Sequence, residues 1–267
     1  MREELALIGA SPRRSLGQHF LRDGMAADRI VALAAPRAGE TVVEIGPGLG
    51  VLSDRLSTRA ERLILLELDE TLAARAAERY AGLPNVSVIH GDALRADWAE
   101  LLPSPGVIVG NLPYNMATAI LHRILEEHVP ARRIVAMLQL EVAARLVASP
   151  GTSDYGALSV LTQLECRPAL CFNVPPGAFV PPPKVHSAVV TLDFPPALQV
   201  EIVSQPRFRR LVRSAFQKRR KQLANALLGV VSEPRELLRR IGIDATRRPE
   251  TLTLEEFALL ERESRDA

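Results

Sequence analysis

The sequence of 267 residues has no uninterrupted apolar run of about 18 residues, the length a helix needs to cross a membrane. Its first residues also lack the pattern of a signal peptide, so we expect a cytoplasmic protein with no membrane partner. Cysteine is nearly absent. Cys166 and Cys171 are separated by four residues, which matches neither a metal-ligand spacing nor a disulfide framework. We therefore expect buried, reduced thiols and no metal site.

Charge is balanced over the whole chain but unevenly distributed along it. The net charge is only +2, yet no acidic residue occurs between Glu201 and Glu233, and eight Arg and Lys residues lie between Arg207 and Lys221. Lysine is scarce, with three in the chain. The arginine preference reflects either genome base composition or a need for bidentate phosphate contacts. The clustering of the basic residues is the more informative feature.

Short apolar segments alternate with helical patterns from about residue 26 to residue 147. The predicted strands are residues 41–45, 62–68, 86–89, 107–109 and 134–138, and an apolar content of 47% supports a buried core. This alternation predicts βαβ units and an α/β fold with a mostly parallel sheet, covered on both faces. The first 16 residues are interpreted as a loosely held arm.

The pattern changes after residue 150. Two further strands, at residues 169–172 and 187–192, bracket the proline-rich stretch "NVPPGAFVPPPKVHS". "FPP" at residues 194–196 marks a boundary, and only helical patterns follow it, at residues 208–216, 222–228, 234–241 and 254–262. We therefore predict two domains, residues 1–194 and residues 195–267, the second all-helical.

Polar or glycine-rich segments follow successive predicted strands, where parallel strands place them at one edge of the sheet. "GPGLG" follows the first strand, and its helix N-terminus can bind a ligand; the spacing Gly46-x-Gly48-x-Gly50 is not the one expected for pyrophosphate. Glu67 follows the second strand and is either a solvated charge or an acceptor for both hydroxyls of a ribose. Asp92 follows the third strand and either caps the next segment or accepts from an adenine amine. Together they predict an adenosine-containing ligand without pyrophosphate.

"GNLPYNMAT", residues 110–118, follows the next strand and is either an ordinary turn or part of an active site. The order of these motifs resembles that of class I S-adenosylmethionine-dependent methyltransferases that modify amines. The order is a glycine-rich loop, an acid, an Asp and then Asn-Leu-Pro-Tyr. "LGQHFLRD" (16–23), "YGALSV" (155–160), "FVPPPKVHS" (179–187) and "FQKRRKQLANAL" (216–227) further resemble the bacterial small-subunit rRNA adenine dimethyltransferase family. The resemblance runs from about residue 12 to the C-terminus. It implies a Rossmann-like class I methyltransferase fold followed by a small helical domain.

The resemblance also implies a set of site residues. S-adenosylmethionine would contact His19, Leu21, Gly46, Gly48, Glu67, Asp92 and Asn111. His19 departs from the family, which often has Asn at this position. The alternative for a single His in a polar arm is a solvated side chain with no role in binding.

The catalytic residues would be Asn111, Leu112, Pro113 and Tyr114. The Asn111 side-chain oxygen and the Leu112 carbonyl would accept hydrogen bonds from the substrate amine, and Pro113 would shape the turn. Tyr114 would stack on a flipped adenine, and Phe179 would cover its other face or else be a core aromatic. No strong base is needed, because the amine proton becomes acidic once the nitrogen is methylated.

The basic segment is interpreted as an RNA-binding face, with a solvated helix face as the alternative. An apolar stripe from Phe208 to Phe216 has helical spacing. Lys184 either touches phosphate or is solvated. The residues expected to contact RNA phosphates are Arg209, Arg210, Arg213, Lys218, Arg219, Arg220 and Lys221.

The expected function is dimethylation of two adjacent adenosines, in a hairpin near the 3′ end of small-subunit (16S) rRNA, by a monomer acting in small-subunit biogenesis. The resemblance implies this substrate; spacing does not. Alternatives are a large-subunit (23S) rRNA adenine methyltransferase of the macrolide-resistance type, a DNA adenine methyltransferase, and a non-catalytic ribosome-assembly factor.

Overall fold

The computed structural model describes residue 13, residues 17–195 and residues 197–264. Apart from Arg13, the predicted arm of the first 16 residues lies outside the described residues, as does Pro196 of the predicted boundary. The chain divides into two compact units. The first runs to Ala143 and includes Ala169–Phe194; the second contains Ala144–Pro168 and the residues from Pro195 onward.

The first unit is built on a seven-stranded sheet. Its strands are β2 (Thr41–Ile45), β3 (Arg62–Glu67), β4 (Val86–His90), β5 (Gly106–Asn111), β6 (Ala131–Gln139), β7 (Arg167–Val174) and β9 (Ser187–Asp193). From one edge to the other the strand order is β4-β3-β2-β5-β6-β9-β7. Strands β2 to β6 are parallel to one another, and β9 is antiparallel to β6. The mostly parallel sheet predicted from the alternating pattern is therefore confirmed.

A separate antiparallel pair consists of β1 (Phe20–Leu21) and β8 (Phe179–Val180), and it joins the N-terminal segment to the proline-rich stretch. Cys166 is buried and Cys171 is half-buried, so the expectation of two buried thiols is correct only for Cys166. In the described residues, no helix has both the length and the apolarity required to cross a membrane.

Helices of the first unit follow the strands as the alternation predicts. Asp69 starts one of them, because its side chain accepts hydrogen bonds from the amides of Thr71 and Leu72. The helix after the glycine-rich loop begins only at Ser53, because Gly48 and Gly50 have φ values of +57° and +87°, which an α-helix does not contain. The helices are α1 (Gly24–Ala34), α2 (Ser53–Leu56), α3 (Glu70–Tyr80), α4 (Trp98–Leu101), α5 (Ala117–Glu126) and α6 (Leu140–Val147), the last of which crosses into the second unit.

The second unit is helical. Its core contains side chains of residues 155–164 packed with Phe208, Leu211 and Phe257. This packing explains why residues 144–168 belong to the second unit, whereas the predicted domain boundaries placed them in the first. The helices are α7 (Ala157–Glu165), α8 (Gln205–Gln217), α9 (Leu223–Ala226), α10 (Pro234–Arg240) and α11 (Leu254–Glu263).

Candidate active site

A cavity that is open to solvent lies at the carboxyl edge of the sheet in the first unit. Strands β3 and β4 lie on one side of β2, and β5 and β6 lie on its other side. The chain connections therefore run in opposite directions from β2. Ligands of open parallel sheets bind at such a point. The cavity brings together ten predicted site residues: His19, Leu21, Gly46, Gly48, Glu67, Asp92, Asn111, Leu112, Pro113 and Tyr114.

The glycine-rich loop approaches the cavity with its backbone. Gly46 has a φ of +67°, and a Cβ atom at this position would meet nothing within 4 Å. A Cβ on Gly48 would lie 3.0 Å from the ring of Phe20, in the N-terminal segment. Gly46 thus leaves ligand space open, and Gly48 lets the N-terminal segment close over the loop.

Glu67 is buried, with 5% of its surface exposed, which contradicts the alternative of a solvated strand-end charge. Its two carboxylate oxygens accept hydrogen bonds from the backbone amides of Gly48 (3.1 Å) and Asp69 (2.9 Å). Burial raises the pKa of Glu67, while these amide hydrogen bonds act in the opposite direction. Because a carboxylate has about four acceptor sites, capacity remains for the two hydroxyls of a ribose.

Asp92 caps the turn after β4, as one of the two alternatives predicts, and the acceptor role for an adenine amine stays a prediction. Its Oδ1 accepts a hydrogen bond from the Leu94 amide (2.8 Å), which stabilises the turn after β4. The residue also lines the cavity. A carboxylate held in this way keeps acceptor sites that suit the exocyclic amine of an adenine.

Asn111 ends β5 with its amide group anchored. Its Nδ2 donates a hydrogen bond to the backbone carbonyl of His19 (2.7 Å), so Oδ1 is the atom left to act as an acceptor. The Leu112 amide donates to the Met137 carbonyl of β6 (3.1 Å), and the Leu112 side chain is buried. The Pro113 carbonyl accepts from the amides of Met116 and Ala117, which starts the turn into α5. The N-terminal segment, β6 and the turn into α5 therefore fix the position of this loop.

His19 and Leu21 hold the N-terminal segment in place. The His19 Nδ1 lies 2.8 Å from the Pro181 carbonyl, which can only accept, so Nδ1 carries the hydrogen. The His19 ring also stacks on Tyr114, with ring centroids 5.3 Å apart. This ring is therefore not simply solvated. Leu21 is 4% exposed and joins the core, and it also lines the cavity.

Phe179 contradicts its predicted role. It is 2% exposed, packs in the core of the first unit and pairs with Leu21 through β1 and β8. The alternative of a core aromatic is therefore correct, and Phe179 does not cover a substrate base. Tyr114, by contrast, is half-buried and lines the cavity.

Glu44, the next-to-last residue of β2, is a cavity residue that the sequence interpretation missed. It is 1% exposed and accepts a hydrogen bond from Ser53 Oγ at 2.7 Å. Burial raises its pKa to about 8, and the nearby Glu67 carboxylate acts in the same direction. An isolated acid inside an otherwise apolar strand, "TVVEI", is the signal that would have identified it.

We expect the free energy of unfolding to fall as pH rises from about 5 to 8, by about 1.4 kcal/mol per pH unit relative to Glu44→Gln. The folded state keeps the Glu44 proton that the unfolded chain releases above its pKa of 4.5, so stability is greatest below that value and is lost toward the folded pKa of about 8. Urea denaturation of both proteins at several pH values measures the difference. If the free energy of unfolding of the two proteins depended on pH in the same way, the raised pKa of Glu44 would be contradicted. The titration of Glu67 contributes to both proteins and therefore cancels in the difference between them.

The basic segment lies in the second unit, and its members differ in environment. Arg209 is 7% exposed and forms an ion pair with Glu165 at 2.9 Å. This buried pair contradicts the prediction that Arg209 contacts RNA. Arg219 is half-buried and donates to the Ser153 carbonyl (2.6 Å). The exposed members are Arg210, Arg213, Lys218, Arg220 and Lys221.

Comparison with known proteins identifies one family along nearly the whole chain. A profile described as ribosomal RNA adenine dimethylase matches residues 9–265. The "Ribosomal RNA small subunit methyltransferase A" of Pelotomaculum thermopropionicum is 43% identical over 97% of this chain and 93% of its own. The protein of the same name from Alkaliphilus oremlandii is 41% identical over 92% of this chain and 90% of its own.

Two solved structures are similar over both units. A dimethyladenosine transferase from Plasmodium falciparum superposes with a TM-score of 0.80 at 26% identity, covering 91% of this chain and 96% of that one. The 23S rRNA methyltransferase ErmE superposes with a TM-score of 0.73 at 28% identity, covering 92% of this chain and 99% of that one. The sequence and structure comparisons thus agree on a Rossmann-like, RNA-modifying methyltransferase architecture.

Proposed function

The chain belongs to the ribosomal RNA adenine dimethylase family, and we propose that it adds two methyl groups to N6 of each of two adjacent adenosines near the 3′ end of small-subunit rRNA. The relatives named for the small subunit, similar over more than nine-tenths of this chain, support this choice of RNA. The single observation that carries the proposal is the anchored Asn111 amide, which lies on the same cavity as Glu67 and Asp92.

S-adenosylmethionine is the cofactor that this cavity suits. Glu67 would accept hydrogen bonds from the ribose hydroxyls, and Asp92 would accept one from the adenine amine. The open space beside Gly46 would admit the part of the cofactor that lies against the protein backbone. When bound, this cofactor supplies an electrophilic methyl group. His19 and Leu21 would close the cavity from the N-terminal segment.

The residues of the loop after β5 would prepare the nucleophile. An adenine amine is a poor nucleophile, because its lone pair is delocalised into the ring. Hydrogen bonds accepted by Asn111 Oδ1 and the Leu112 carbonyl favour a pyramidal nitrogen and direct its lone pair out of the ring plane. Tyr114 stacks on the flipped base, and such stacking contributes roughly 1–3 kcal/mol. Positioning and fixed dipoles thus provide the catalysis, without a strong base.

Methyl transfer from labelled S-adenosylmethionine to unmethylated small subunits, large subunits and DNA, followed by mapping of the label, tests the proposal. We expect label on two adjacent adenosines of the small-subunit RNA. Label confined to large-subunit RNA or to DNA would refute the proposed substrate. The monomeric state and the action within assembling subunits are part of the same proposal, and bare RNA provides a comparison substrate.

We expect Arg210→Ala, Arg220→Ala and Lys221→Ala, combined, to raise KM for small subunits about tenfold and to make its salt dependence shallower, because three exposed cations would no longer neutralise phosphates. Steady-state rates at several salt concentrations measure both effects. The combined Arg37→Ala, Arg59→Ala and Arg62→Ala variant removes the same charge near the amino ends of β2 and β3 and should leave KM unchanged. Equal effects of the two triple variants would assign the change to net charge alone.

A further inference from the structure

Tyr114 is held by two side chains from distant parts of the sequence. Its hydroxyl forms a hydrogen bond with Ser187 Oγ at 2.5 Å, across a sequence separation of 73 residues. One face of its ring stacks on His19, at an interplanar angle of 27°. We call these three residues the Tyr114 clamp.

Each support in the Tyr114 clamp is itself rigid. Ser187 is the first residue of β9, is fully buried, and pairs with Gln139 of β6. The His19 ring is fixed by its hydrogen bond to the Pro181 carbonyl, and its backbone carbonyl holds the amide of Asn111. The ring of Tyr114 is thus oriented relative to Asn111 by the sheet on one side and by the N-terminal segment on the other.

The clamp leaves one arrangement for a substrate base. Because His19 stacks on one face of Tyr114, a flipped adenine would stack on the other face. The tilt of the Tyr114 ring would then set the plane in which the adenine lies. That plane decides whether the exocyclic nitrogen meets Asn111 Oδ1.

We propose that Ser187 is a positioning residue of the methyl transfer, which acts by orienting the Tyr114 ring against His19 so that the base stacks in the reactive plane. The proposal rests on the proposed function, since it assigns a further residue to the same site. Ser187 touches neither substrate nor cofactor in this scheme. Its effect therefore belongs in turnover rather than in RNA binding, which depends mainly on phosphate contacts.

A double-mutant cycle of Ser187→Ala and Tyr114→Phe tests the proposal, with initial rates of methyl transfer to unmethylated small subunits. Each single variant should lower kcat about fivefold, the factor that corresponds to one ordinary hydrogen bond. KM for small subunits and the Kd for S-adenosylmethionine should stay within about twofold. The double variant should be no slower than either single variant, because both remove the same hydrogen bond.

Thr191→Val is the matched control. Thr191 is a buried hydroxyl residue four positions along β9, with its Oγ1 near Cys171. This variant also loses a hydroxyl from β9 but should keep the wild-type kcat. Thermal unfolding of all variants shows whether they remain folded at the assay temperature.

Three results would overturn the role of Ser187. They are fivefold losses that multiply in the double variant, a wild-type kcat for either single variant, and an equal loss for Thr191→Val. If Ser187→Ala does not fold, Tyr114→Phe alone decides, since it removes the same hydrogen bond from the half-buried partner and leaves the buried Ser187 in place. Wild-type protein that fails to label small subunits would instead refute the proposed function, so the two failures are distinguishable.

Discussion

Asn111→Ala should lower the turnover of methyl transfer by about 10²–10³-fold, the loss observed when one preorganised polar contact to a transition state is removed. Alanine offers no acceptor for the adenine amine, so the nitrogen lone pair stays delocalised in the ring. It also releases the His19 carbonyl, which the Asn111 amide now holds at 2.7 Å. Affinity for S-adenosylmethionine should fall less, because Glu67 and Asp92 are unchanged.

Single-turnover rates with saturating small subunits measure the effect, and calorimetric titration gives the affinity for the cofactor. Asn85→Ala is the matched control. The Asn85 amide also donates to backbone carbonyls, those of Ser57 and Ala60, but it precedes β4 at the amino end of that strand. This control should lose stability and keep its turnover. A wild-type rate for Asn111→Ala would remove Asn111 from the mechanism.

Glu67→Gln should weaken the binding of S-adenosylmethionine by about 10²-fold, because hydrogen bonds to a charged acceptor contribute roughly 1.5–3 kcal/mol. Glutamine has a single acceptor oxygen, so its amide nitrogen would face one of the two backbone N–H groups that the carboxylate now accepts from. One buried amide would lose its partner, and one ribose hydroxyl would lose its acceptor. The first loss lowers the stability of the protein with or without the cofactor, whereas the second weakens cofactor binding.

Titration calorimetry with S-adenosylmethionine and with S-adenosylhomocysteine checks this expectation. Glu61→Gln is the matched control, since the Glu61 carboxylate also accepts from a glycine amide, that of Gly39 at 3.0 Å. Glu61 immediately precedes β3, at the end opposite Glu67, so its substitution should leave the affinity for the cofactor unchanged. Equal affinity for wild type and Glu67→Gln would mean that the ribose is bound by other groups.

The positions of the residues that line the cavity could be predicted because they depend on a short-range regularity. Parallel strands bring their carboxyl ends to one edge, so Gly46, Glu67, Asp92 and Asn111 meet there once four strands are located in the sequence. Strand positions follow from apolar runs, and the structure extends most of them by a few residues. The mostly parallel sheet and the helical second unit follow from the same patterns.

Residues with distant partners could not be predicted in this way. Arg209 flanks the apolar stripe of its helix, but Glu165, 44 residues earlier, makes it a buried ion pair. Phe179 was predicted to lie in a loop because β8 has only two residues. Its partner strand β1 lies near the start of the chain, far from it in sequence. The packing of residues 144–168 with the second unit also depends on partners far along the sequence. Such contacts leave no local pattern.

The hydrogen bond from His19 to Pro181 also matters for how the protein is made. A chain leaves the ribosome amino end first, and 162 residues separate these two. When the glycine-rich loop, Glu67, Asp92 and the Asn111 loop have left the ribosome, these parts of the cavity are available. The strand that holds the N-terminal segment in place is still being synthesised at that time. An enzyme that modifies ribosomal RNA thus completes its own cavity only after Pro181, about two-thirds of the way along its 267 residues, has been synthesised.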